Sequence, residues 1–74
     1  MKKQEFINWF KSYLGQDAMV SEEFIPLMKS IGAQMKDELF LYFIKGVLGL
    51  KQNSTEISLE QNKTIKQTLS VVED

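Results

Sequence analysis

Leu39-Phe40-Leu41-Tyr42-Phe43-Ile44-Lys45-Gly46-Val47-Leu48-Gly49-Leu50 is the stretch that decides the fold, because only one lysine and two glycines interrupt its apolar residues. At about 100° per residue these side chains point around the whole circumference of a helix, and a helix apolar on every side has to be buried on every side. Asp37 stands where an N-cap would start such a helix, the end is expected around Gly49, and Gly46 weakens the middle. A continuous apolar run of this length also suits a buried strand at 39–45, since periodicity does not separate the two. A strand needs pairing partners, and only 47–51 and 55–59 would form the hairpin that supplies them. The preferred reading is a helix over about 37–49; the alternative is an α+β fold with a small hairpin within 39–59.

Towards the N-terminus the pattern is helical. Phe24, Leu27, Met28, Ile31 and Met35 form one stripe of a segment spanning about 21–35. Ser21 suits its N-cap, Glu22 and Glu23 complement the helix dipole, and Val20 is placed to staple onto Ile25. Pro26 at the fifth helical position would remove a hydrogen bond and crowd the preceding turn, so the regular helix is expected to start later, with Pro26 in its first turn. Before it, Phe6, Ile7, Trp9, Phe10, Tyr13 and Leu14 fall within about 160° of a helix over 4–14, with Gln4, Asn8, Lys11 and Ser12 opposite. Gly15 follows as a helix stop.

Towards the C-terminus, Lys51 to Glu56 is polar loop, and Ser58 with Gln61 makes a capping-box pattern that opens a fourth helix over about 58–71. Its apolar side is thin: Leu59, Ile65, Leu69 and Val72. Thr64, Thr68 and Val72 lower its intrinsic helicity, so it should depend on docking and fray near Glu73 and Asp74. Together these readings give an all-α fold, a small bundle of three to four short helices, in one domain over 1–74.

Composition removes most chemistry. The 74 residues contain no cysteine and no histidine, which excludes disulfides, the usual structural zinc sites, and catalysis by thiol, imidazole or a serine triad. All nine basic residues are lysines, scattered among ten acids for a net charge of -1. Without arginine the chain lacks the fork that grips guanine or phosphate, and no stretch concentrates its lysines into a basic patch. Glu22-Glu23 and Asp37-Glu38 are adjacent in sequence, hence about 100° apart on a helix, and read as helix-start charges rather than a catalytic pair. Gly46-Val47-Leu48-Gly49 matches the Gly-x-x-Gly loop of KH domains, but its apolar middle suits helix packing better than a nucleic-acid backbone. Asn53-Ser54-Thr55 and Asn62-Lys63-Thr64 match the glycosylation triplet and carry no weight without export. The opening residues lack an apolar signal core, and no run approaches the ~20 residues that span a bilayer, so a cytoplasmic protein without membrane insertion is expected. No catalytic residue, metal site or cofactor is expected.

A domain this small hides only around 60 % of the surface its unfolded chain exposes. It must house the aromatic face of the first helix, the Phe24 to Met35 stripe and the 39–50 segment together, so apolar surface should be left over. The candidate interface is therefore Phe6, Trp9, Phe10, Tyr13, Phe40, Tyr42, Phe43, Val47 and Leu48, serving a homodimer or another protein partner. The alternative is an oligomer that binds nucleic acid or sequesters a ligand through lysines and stacked aromatics.

Glu5-Phe6-x-x-Trp9-Phe10-x-x-Tyr13-Leu14, followed by a second helix with Ile25 and Ile31, resembles a pattern in short proteins encoded by bacteriophages and prophages. It departs from that pattern at Ser12, where those proteins often carry glycine, and at Val20-Ser21, where they carry Thr or Pro-Thr. The resemblance covers the first half of the chain and implies a phage or mobile-element origin more than an activity; the expected function is a non-enzymatic interaction module, extended to a phage accessory factor that binds and modulates a host or phage protein.

Overall fold

The computed structural model describes residues 1–15, 19–48 and 57–74. These form four helices, α1 (Lys3–Leu14), α2 (Ile25–Gln34), α3 (Asp37–Leu48) and α4 (Leu59–Ser70), with a 3-10 turn over Glu22–Phe24 and no strand among the described residues. The protein is a small all-α bundle. Residues 39–48 are helical throughout, which settles the ambiguous stretch against the hairpin; of the hairpin's remaining residues, 49–56 lie outside the described segments.

Each helix boundary has a local cause. At Gly15 the chain turns to φ 107°, a conformation that favours glycine, while its N–H still donates to Lys11 O at 2.9 Å. Pro26 delays α2: residues 22–24 make a 3-10 turn instead of α-helix, and Pro26 enters the first turn of α2, where its missing N–H costs nothing. Ser21 precedes that turn without donating or accepting a side-chain cap bond, so the helix expected over 21–35 is regular only over 25–34. Asp37 is the first residue of α3 rather than its cap. Ser58 closes the expected capping box: Gln61 N–H donates to Ser58 Oγ at 3.1 Å and Ser58 N–H donates to Gln61 Oε1 at 2.9 Å.

α4 is the centre of the bundle, in contact with α1, α2 and α3. Its buried stripe is Asn62, Ile65 and Leu69, continued by Val72 just past its end, and it meets Phe6, Phe10, Ile25, Met28, Phe40 and Ile44 in one core. Thr64 and Thr68 are accommodated because their hydroxyls donate to the carbonyls of Glu60 (3.1 Å) and Thr64 (2.8 Å) one turn back. Where α2 meets α3 the approach is close: a methyl group on Gly32 would come within 3.3 Å of Phe40 Cε1.

Polar contacts complete what this thin stripe begins. Lys66 of α4 donates to Met35 O at the end of α2 and pairs with Asp37 Oδ1 at 3.1 Å, while Lys29 of α2 donates to Val72 O just past the end of α4. The two helices therefore run antiparallel, each sending an ammonium to the carbonyl-rich end of the other, where a positive charge is favoured. Lys29 also lies 3.7 Å from Asp74, and Glu73 N–H donates to Met1 O at 2.7 Å, so the residues after α4 contact α2 and the start of the chain. Asn62, fully buried, donates from Nδ2 to Asp37 O at 2.6 Å; its Oδ1 accepts no hydrogen bond from the described residues.

Two pairs of variants test this account by urea denaturation. Phe40→Ala should cost about 3–5 kcal/mol, whereas Leu39→Ala, one residue away and 58 % exposed, should change stability by no more than about 0.5 kcal/mol. Asn62→Asp sets a carboxylate against the Asp37 carbonyl and should cost about 3 kcal/mol or more. Asn62→Leu removes both the hydrogen bond and the unpartnered oxygen, and should cost about 1 kcal/mol or less.

Candidate functional site

The nine residues of the expected interface separate into three groups. Phe6, Phe10 and Phe40 are fully buried, so they can support a surface only from beneath. Trp9, Tyr13, Phe43 and Leu48 are partly buried against the core, and Val47 is partly buried outside it. Tyr42 alone is largely exposed, at 70 %.

On α1 the aromatic face is mostly interior. Phe6 and Phe10 stack with ring centroids 5.4 Å apart, and Trp9 and Tyr13 stack at 4.8 Å on the shoulder of that face. Both marginal rings lie against neighbours in their own helix, and offset stacking of this kind is part of how aromatic residues pack.

On α3 the expectation of burial all round is overturned. Only Phe40 and Ile44 are fully buried there, because α3 packs chiefly against α4 and more sparingly against α2, leaving the opposite side to solvent. That outer side carries Leu39, Tyr42 and Gly46 at successive turns, flanked by Phe43, within about 100° of one another on the helix. No described atom lies within 4 Å of a methyl placed on Gly46, so packing among the described residues does not require glycine there, although glycine inside a helix costs roughly 0.5–1 kcal/mol relative to alanine. Gly49, the other end of the Gly-x-x-Gly match, lies outside the described residues.

Leu39 was not marked by its sequence pattern, nor was a second exposed row on the α2 side, Phe24 (47 %) and Leu27 (49 %). Helical spacing shows that such residues share a face; it does not show which face meets the core when more than one is apolar. Gly32 was the usable signal, since a glycine in the α2 stripe marks where a neighbour approaches closely.

Among the described residues three ion pairs form, Lys29–Asp74, Lys63–Glu60 and Lys66–Asp37. A surface depression of about 460 Å³ lies between α2 and α4, bordered by Lys29, Gly32, Ala33, Lys66, Gln67 and Ser70. Its two ammonium groups already bond to Val72 and Met35 carbonyls. Asp37 faces Lys66, and Glu22, exposed in the 3-10 turn, borders a shallow surface depression with Glu73, Asp74, Lys2 and Lys3, where the acids are interspersed with ammonium groups. Among the described residues no three Asp, Glu, His or Cys side chains gather as metal ligands, and no helix is long and apolar enough to cross a membrane.

No protein-family model, no curated protein and no solved structure matches the chain.

The double variant Leu39→Lys with Tyr42→Lys should leave stability within about 1 kcal/mol of the parent, because neither side chain belongs to the core. It should also reduce binding of the apolar dye ANS at neutral pH; unchanged dye binding would show that this side of α3 is not the principal apolar surface.

Proposed function

We propose that the protein is a non-enzymatic interaction module whose docking surface is the outer face of α3. The observation that carries this reading is that Leu39 and Tyr42 are 58 % and 70 % exposed on one side of α3. Apolar side chains placed together in water are retained at a cost to solubility, and a partner that covers them recovers the hydrophobic free energy. An aromatic with a polar tip, such as Tyr42, is the type of residue that anchors such contacts.

The absence of histidine, cysteine and arginine from the sequence supports binding over catalysis. Engagement of Lys29 and Lys66 with backbone carbonyls supports a protein partner over nucleic acid, since those ammonium groups already have internal partners. The mechanism is occlusion: the bundle covers a functional surface of its target. With the resemblance of residues 5–14 to short phage proteins, the reading extends to a phage accessory factor acting on a host or phage protein in the cytoplasm.

Photo-crosslinking tests it. Benzoylphenylalanine substituted at Tyr42 should give discrete protein adducts on illumination in living bacterial cells, while the same residue at Glu60, exposed on α4, should not. Equal or absent crosslinking at the two positions would overturn the reading.

A further inference from the structure

Resting on the reading of α3 as a docking surface, we infer that its first occupant is a second copy of this chain, with the two α3 helices antiparallel about a two-fold axis between Tyr42 and Phe43. The evidence is self-complementarity in both charge and shape. Glu38 and Lys45 lie two turns apart on the same flank of the Leu39–Tyr42–Gly46 row. Neither is in an ion pair among the described residues, where the three pairs are Lys29–Asp74, Lys63–Glu60 and Lys66–Asp37.

Antiparallel helices bring like flanks together, as in antiparallel coiled coils, so Glu38 of each copy falls beside Lys45 of the other and the pairing occurs twice. The same axis sets Leu39 of each copy over Gly46 of the other. The open space at Gly46, which no described residue fills, then receives a leucine side chain. Close to the axis, Tyr42 meets Tyr42 of the other copy on the Glu38–Lys45 flank and Phe43 meets Phe43 on the opposite flank, which places aromatic pairs at the centre of the contact. A parallel arrangement loses all of this: Glu38 would stand at the height of Glu38, Lys45 at that of Lys45, and the two Gly46 positions would face each other across a gap.

One 12-residue helix from each copy makes a contact at the small end of the range, under about 1,200 Å², so the dimer is weak and concentration-dependent.

Sedimentation of the full chain from about 10 µM to about 1 mM should show reversible dimerisation. Glu38→Lys and Lys45→Glu should each weaken it about tenfold at low salt by creating two like-charge contacts, and the double exchange should return it to within about threefold of the parent, because the pattern is again self-complementary. Gly46→Gln, which replaces glycine by a better helix former, should abolish dimerisation while helicity by circular dichroism is kept or raised. A monomer at every concentration, or a dimer indifferent to both single exchanges, would overturn the inference. If the chain is monomeric while position 42 still crosslinks to a different protein, this inference falls and the docking reading stands.

Discussion

The bundle depends on α4 being held at its centre by contacts that are only partly apolar. An amphipathic helix normally docks by a wide hydrophobic stripe, and α4 offers Ile65 and Leu69, continued by Val72 just past its end, with a buried asparagine in line with them. What completes the docking is the reciprocal use of two lysines. Lys66 reaches the end of α2, and Lys29 reaches the end of α4. Helix C-termini present carbonyls without intrahelical partners, and an ammonium with three donors on a flexible stem suits them well. With no arginine and no histidine in the chain, lysine is the side chain available for this role.

Once α4 is fixed, the positions of α2 and α3 follow. Asn62 and Lys66 both contact the start of α3, through the carbonyl and the carboxylate of Asp37. The close approach at Gly32 then gives Phe40 its place against α2. This arrangement buries one side of α3 and leaves Leu39 and Tyr42 exposed on the other, with no further helix among the described residues to lie across them. The apolar surface on which the functional reading rests is thus a consequence of how the core was completed. Gly46 fits the same picture, a weak position for a lone helix and a useful one for a close neighbour.

Much of the architecture was legible in the residues. The capping box at Ser58 and Gln61, the stop at Gly15 and the displacement of the α2 start by Pro26 all act within one or two turns, so local sequence states them fully. Asn62 was harder to see. Its place in the row Asn62, Ile65, Leu69, Val72 was available as spacing, yet a polar residue in such a row is as readily assigned to the rim as to the interior, and only its contact with Asp37 O accounts for its burial. The lysine caps were invisible because they join residues 29 with 72 and 35 with 66, separations over which spacing carries no information.

The candidate surface divides in the same way. Sequence by itself determined that the segments over 4–14 and 24–35 are helical and that the chain has none of the side chains for thiol or imidazole chemistry. These are properties of composition and of short-range periodicity, which survive in any arrangement of the helices. Only the tertiary structure decided that Phe6, Phe10 and Phe40 go inside while Leu39 and Tyr42 stay out. Residues 39–48 are apolar almost all round, so no helical wheel ranks their faces; the choice between Phe40 and Leu39 is made by where α4 lies, and that is set by long-range contacts at Lys29, Asn62 and Lys66.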